Sequence, residues 1–311
     1  MPVHEVNGQW INYEDTGGDL VPIVLAHGIL MDRGMFAPQI ESAKVGSRFI
    51  TWDARCHGET ENTDEPFSYW DLADDLKGLL DHLGIERAVV GGMSQGGFVA
   101  LRFALKYPER VSGLVLIGTQ AGVEDPEKVA TYQVMLDVWE VEGLNDQLAE
   151  TIAAIILGNE WKGRAPWIAK WRQKPRSLLH QAFQTLVSRD DIQHRLGEIT
   201  APALVIHGTA DAAIDIEKAH RLCSELANCR QMVAIEGAGH ASNLTHPKLV
   251  NLAIQQFIGD LELSAPQRAE QRANAIRADA ERRSGERRDQ SSPRRQTVAP
   301  VDRRMAERRA Q

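Results

Sequence analysis

Cysteine is scarce in this chain: Cys56, Cys223 and Cys229 are the only three in 311 residues. Their spacing fits no metal ligand set, and an odd count leaves at least one outside any intramolecular disulfide. So few thiols suit a reducing compartment, and a cytoplasmic location is the expectation. No apolar run approaches a membrane span, so membrane insertion is not expected. A basic stretch followed by an apolar one is also missing. The opening Met1-Pro-Val-His-Glu-Val-Asn-Gly8 does not read as a secretory signal. There is no internal repeat, which removes solenoid and propeller architectures.

Lysine is absent from Ser264 onward, where 13 Arg and 7 acidic residues leave a net of +6. The whole chain carries −8, so the body before it carries −14. An acidic body argues against nucleic acid as its ligand. The large apolar residues of this tail are Ile276, Val298, Val301 and Met305, too few to offset the entropy of ordering. Residues 263–311 are therefore expected to be disordered or a fraying helix. Paired arginines (Arg282-Arg283, Arg287-Arg288, Arg294-Arg295) could touch RNA, DNA or anionic lipid, but a solvated tail is the preferred reading.

The whole chain is 43% hydrophobic, enough for a sizeable core. Residues 3–16 read as a hairpin turning at Asn7-Gly8. Short apolar runs at Pro22–Ala26, Phe49–Trp52, Ala88–Val90 and Val111–Ile117 read as buried parallel strands. Helical patterns separate them, such as Tyr69–Leu83 with Leu72, Leu76, Leu79, Leu80 and Leu83 on one face. Alternation of this kind predicts βαβ units and a mostly parallel sheet with helices on both faces. From Val123 to Ile199 the alternation stops, and the pattern is helical with four of the seven tryptophans. It resumes at Ala203–Ile206 and Gln231–Ile235, and a last helix is expected near Lys248–Ile258. The α/β core is thus expected in residues 1–121 and 201–262, with a helical insert at 122–200.

The chemistry centres on Gly92-Met-Ser94-Gln-Gly96, which fits G-x-S-x-G between a strand and a helix. In that context the chain turns so sharply that glycine flanks the serine, Oγ is lifted above the sheet, and the N–H of Gln95 can bind an oxyanion. An elbow serine needs a base, and the base an orienter. Asp211 follows the Ala203 strand, and His240 follows the Gln231 strand in the loop Gly237-Ala-Gly-His240. Asp215 is a rival, but Asp211 lies nearer the strand end and is preferred. His27, His57 and His207 sit at strand ends, where an imidazole satisfies backbone groups. The order Ser94, Asp211, His240 is that of α/β-hydrolases and not of other serine hydrolase folds.

On these residues the chain resembles the capped esterase, lactonase and cofactor-free haloperoxidase group of α/β-hydrolases. His27-Gly28-Ile29, Asp53-Ala-Arg-Cys-His-Gly58, Gly92–Gly96, His207-Gly-Thr-Ala-Asp211 and Gly237–His240 carry the resemblance across residues 22 to 258. The segment Asp190–Pro202 is similar to 3-oxoadipate enol-lactonases in particular. The resemblance implies a Ser94–His240–Asp211 triad and an oxyanion hole of the Ile29 and Gln95 amides. It implies an insert over the site, with no metal or organic cofactor. Two residues depart from the pattern: Cys56 stands where the family usually has glycine, and Gln95 where enol-lactonases usually have methionine. Serine at the elbow sets aside aspartate-dependent epoxide hydrolases and dehalogenases, and Ile29-Leu30-Met31 differs from ring-cleavage hydrolases. The expectation is hydrolysis of a small to medium ester or lactone, with Leu30, Met31, Trp139 and Trp167 as substrate contacts. The alternative is a hydrolase-fold ligand sensor that turns over slowly or once.

Overall fold

A computed structural model describes residues 2–44, 47–60, 65–174 and 179–262. The described residues up to Leu261 form one compact unit. The expectation for the tail falls outside the described residues.

The described elements run β1 (Val3–Val6), β2 (Gln9–Asp15), β3 (Ile23–Ala26), α1 (Ala37–Glu41), β4 (Phe49–Trp52), α2 (Tyr69–His82), β5 (Ala88–Met93), α3 (Gln95–Lys106) and β6 (Val111–Ile117). Four helices follow, α4 (Pro126–Glu142), α5 (Asp146–Leu157), α6 (Arg164–Gln173) and α7 (Leu179–Val187). The chain then resumes with β7 (Ala203–Gly208), α8 (Ile216–Glu225), β8 (Cys229–Ile235), α9 (Ser242–Thr245) and α10 (Pro247–Glu262). The strands form one sheet in the order β1-β2-β4-β3-β5-β6-β7-β8. Pairing is parallel from β4 to β8 and antiparallel in β1–β2 and β2–β4.

Local chemistry accounts for the elements. Asn7 and Gly8 have φ of 49° and 74°, the pair of positive values a tight right-twisted hairpin demands. Ser68 caps α2 by accepting from the N–H groups of Trp70 and Asp71, while Asp71 accepts back from the Ser68 N–H at 2.7 Å. Strand residues alternate between two cores. Val24, Val90, Leu114 and Val205 pack beneath α2, α3 and α8; Leu25, Val89, Val115 and Leu204 join α10 and the insert helices. Each fully buried leucine or valine contributes roughly 1.5–3 kcal/mol of transfer free energy.

Topology places the site. Strand order runs one way from β3 to β4 and the other way from β3 to β5, so the crevice between the ends of β3 and β5 is the switch point where open α/β sheets hold ligands. Ala26 and Gly92 are in register there. The His27-Gly28 turn and Ser94 consequently emerge side by side.

Cys223 and Cys229 are joined in a disulfide, Cα–Cα 5.3 Å, a pairing that the odd cysteine count left open. The end of α8 folds back directly into β8, a return that residue spacing does not disclose. Cys56 is buried. Among the described residues no helix is long and apolar enough to cross a membrane.

Candidate active site

Ser94 holds φ 54° and ψ −115° between β5 and α3. A non-glycine residue there is strained, and its surroundings over-determine it. The Ser94 N–H donates to Ile117 O at 2.8 Å, and Thr119 Oγ1 donates to Ser94 O at 2.8 Å. A Cβ on Gly96 would overlap the Ala26 carbonyl, and one on Gly92 would strike the same oxygen. The flanking glycines are thus dictated by close approach of β3 to the elbow. Gln95 opens α3, where the first N–H groups have no acceptor within the helix. Its side chain lies 3.4 Å from the Tyr69 hydroxyl and 3.5 Å from His57 Nε2.

The turn after β3 lies against the elbow. A Cβ on Gly28 would fall 2.6 Å from Met93 Sδ and 3.6 Å from Ser94 Cβ. Ala54 N–H donates to His27 Nε2 at 3.0 Å, so the ring proton sits on Nδ1 and donates to Gly28 O at 2.8 Å. Burial holds the His27 pKa below its usual value, in keeping with this neutral, bracing role. Leu30 takes φ 65°, and its carbonyl accepts from Trp171 Nε1 at 2.8 Å. The backbone that carries the Ile29 amide is therefore fixed from both sides.

Asp211 and His240 come together across the β7–β8 ends. Ala210 N–H donates to Ala238 O at 2.9 Å, and Gly237 N–H to Thr209 Oγ1 at 2.9 Å, which ties the two loops. His240 Nδ1 lies 2.7 Å from Asp211 Oδ2. Asp211 Oδ1 accepts from Ala213 N–H at 2.8 Å and Ile214 N–H at 3.0 Å. The carboxylate side chain is fully buried. Burial opposes its charge, but His240 and the hydrogen bonds from His207 and His240 outweigh it, and the pKa falls well below the usual carboxylate range. Asp215, by contrast, heads α8 with a side chain 59% exposed, 3.6 Å from Lys128.

Three residues have contacts here that the sequence reading did not assign, His207 beyond the backbone group expected of it. His207 Nε2 lies 3.2 Å from Asp211 Oδ2 and 2.8 Å from Ile214 O, so one carboxylate oxygen serves two imidazoles. Gly118 has φ 52°, and a Cβ there would stand 2.9 Å from His240 O. Trp171 braces the Leu30 carbonyl. A strand-end histidine four residues before an aspartate and a glycine after a strand were the available signals; neither points to a role unaided.

Ser94 and His240 open into one cavity of about 840 Å³, open solvent at its mouth included. Gly28, Ile29 and Leu30 line it from below, and Tyr132, Met135, Trp139, Ile156 and Phe183 from the insert. Two expected contacts lie elsewhere. Met31 is fully buried in the core, and Trp167 packs beneath Lys170, whose Nζ lies 4.4 Å from its ring centroid. Each sits on the side of its segment that faces protein. Lys170 and Arg172 pair with Asp32 and Asp146. Among the described residues no group of three or more His, Cys, Asp or Glu is arranged to hold a metal ion.

Comparison with known proteins gives the fold family. Residues 21–247 match the family model for the alpha/beta hydrolase fold. A 2-hydroxy-6-oxononadienedioate/2-hydroxy-6-oxononatrienedioate hydrolase from Paraburkholderia phymatum is 32% identical over 80% of this chain and 91% of its own. 3-Oxoadipate enol-lactonase 1 of Acinetobacter baylyi is 25% identical over 82% and 95%. Among solved structures, a thermophilic esterase from Thermogutta terrifontis superposes with a TM-score of 0.77 at 28% identity, covering 85% of this chain and all of that one.

Proposed function

The chain belongs to the α/β-hydrolase-fold family, and from that premise we propose that it is a serine hydrolase of small to medium, uncharged carboxylic esters or lactones. One observation carries the reading. A strained elbow serine and an imidazole bonded through its other nitrogen to a buried carboxylate share one apolar cavity.

In this mechanism Ser94 Oγ attacks the carbonyl carbon while His240 Nε2 takes the hydroxyl proton. Asp211 keeps the ring proton on Nδ1 and stabilises the imidazolium. The Ile29 and Gln95 amides receive the oxyanion, each donor supplying about 3–4 kcal/mol on the scale measured in a protease. His240 then protonates the departing alkoxide, and a water deprotonated by His240 releases the acid from Ser94. No cofactor takes part. The helices of residues 122–200 roof the site and select what enters.

The preference for a neutral substrate rests on the lining. Two relatives carry names of carboxylate substrates, a dioate and an oxoadipate. The Ile29-Leu30-Met31 departure alone does not set such enzymes aside, since one of them is 32% identical. In the described lining, however, the charged residue is Glu124, which repels an anion. The test pairs kcat/KM on a neutral lactone with its carboxylate-bearing analogue, in wild type and Ser94→Ala. The neutral substrate is expected to win, and Ser94→Ala to lose several orders of magnitude and all fluorophosphonate labelling. A tenfold preference for the anion overturns the substrate class. Near-wild-type turnover by folded Ser94→Ala overturns the mechanism. Single slow turnover favours the ligand-sensing alternative.

A further inference from the structure

One wall of the cavity holds a charged group that the hydrolytic steps leave unused. Glu124 lies just before α4 and is 7% exposed. Its Oε2 accepts from Arg189 NH2 at 3.2 Å. Arg189 is itself fixed, donating from Nε to Gly122 O at 3.0 Å and from NH1 to Leu186 O at 2.8 Å. Its guanidinium lies 4.4 Å from the Phe98 ring centroid. The other carboxylate oxygen, Oε1, is buried with no hydrogen-bond partner among the described residues. A buried acceptor without a donor is costly, and native proteins retain one chiefly where something else supplies the donor. Glu124 lines the same space as Ser94 and His240, together with Tyr132 and Leu186. Burial, then the charges of Glu124 and Asp211, push the Tyr132 phenol above its usual pKa.

We propose that Glu124 is a specificity-determining residue whose Oε1 accepts a hydrogen bond from a neutral donor, a hydroxyl or amide N–H, carried by the ester or lactone. Arg189 already balances the carboxylate, so the site does not require a cation, and the lone pairs of Oε1 repel an anion. The apolar neighbours admit the carbon chain and leave Oε1 as the polar stop. This rests on the hydrolase reading for the substrate class but not for the donor preference itself.

The test uses aryl esters of graded chain length ending in hydroxyl, methyl or methyl ketone, with a secondary amide and its N-methylated form to separate the two donor sources. In wild type, the hydroxyl or amide ester of best length is expected to exceed its methyl match in kcat/KM by about tenfold, the lower range for a hydrogen bond to a charged group. Glu124→Gln makes a sharper demand. Its amide oxygen must stay with Arg189, which only donates, so its NH2 faces the cavity. The preference should then invert toward the ketone. A simple packing defect would not invert it, and fluorophosphonate labelling confirms that the variant is folded. A methyl preference at every length in wild type, or a Glu124→Gln ratio within about twofold of wild type, overturns the proposal. The same ligands titrated into Ser94→Ala report Kd without chemistry. Donor preference in Kd with no wild-type turnover sinks the hydrolase reading alone, whereas turnover without donor preference sinks the role of Glu124 alone.

Discussion

Replacing Asp211 by asparagine tests whether it orients His240 as proposed. Two backbone N–H groups, of Ala213 and Ile214, point at Oδ1 at 2.8 and 3.0 Å. The asparagine oxygen must remain there, because an NH2 would face two donors. Its NH2 group then faces His240 Nδ1, now 2.7 Å from a carboxylate oxygen. Donor meets donor unless His240 moves its proton to Nε2, and that tautomer cannot take a proton from Ser94. His207, 3.2 Å away on the other flank, is left facing the same NH2. The tautomer argument gives a fall in kcat of roughly 10³–10⁴, or about 4–5.5 kcal/mol of transition-state stabilisation. The loss should shrink at high pH, where hydroxide can replace the base. The assay is kcat on a chromogenic ester across the pH range, with Asp215→Asn as the control. Retention of kcat within tenfold in Asp211→Asn, or an equal loss in Asp215→Asn, would refute the reasoning.

Gly118→Ala should lower the melting temperature by about 2–8 °C, since alanine at φ 52° costs roughly 1–2 kcal/mol, and should reduce kcat by displacing His240; an unchanged kcat would remove Gly118 from the site. Acid should destabilise the protein in two stages, read as melting temperature against pH. Burial lowers the pKa of both His27 and His57 from the ordinary 6.5, so the unfolded chain binds those protons first and stability declines as pH falls below that value. Asp211, also lowered in the fold, adds a second decline below 3.8, its ordinary value, that Asp211→Asn should lack. Truncation after Leu263 should leave ester hydrolysis and thermal stability almost unchanged, and a fall of more than about 4 °C in melting temperature would contradict that.

Much of the frame is legible in residue patterns because parallel strands are short apolar runs and the elbow needs glycines at set offsets. The hairpin, the strands flanking the elbow and the helical insert all follow from periodicity. The nearness of Asp211 to its strand end separates it from Asp215, and the structure puts Asp211 beside His240. The insert is less legible. Trp167 and Trp171 lie on one face of α6 at i, i+4, yet Trp171 bonds the Leu30 carbonyl and Trp167 stacks under Lys170. Both are apolar positions on one helix, and only the docking of that helix distinguishes them. Met31 and Leu30 are adjacent, but the φ of 65° at Leu30 turns one to the cavity and the other to the core. The two departures from the family pattern acquire local reasons. Cys56 has φ 64°, the conformation that makes glycine usual there, and Gln95 reaches toward polar groups of Tyr69 and His57 that a methionine could not bond.

The insert leaves the sheet after β6 and re-enters at β7, strands that are direct neighbours with Leu114 opposite Ala203. Its two ends are thus anchored on adjacent rails, and an exchange of residues 124–187 would not alter strand order. In the proposed function, reaction and selectivity are written in different paragraphs of the chain, one in the turns at 94, 211 and 240, the other between them. Among the bonds that join them, two reach the turns themselves: Trp171 Nε1 to Leu30 O, and Ala241 N–H to Ile156 O at 2.9 Å. A transplanted insert that reproduces both bonds would present new substrates to an undisturbed serine. One that omits either would loosen the Leu30 turn or the His240 loop, and would forfeit rate as well as recognition.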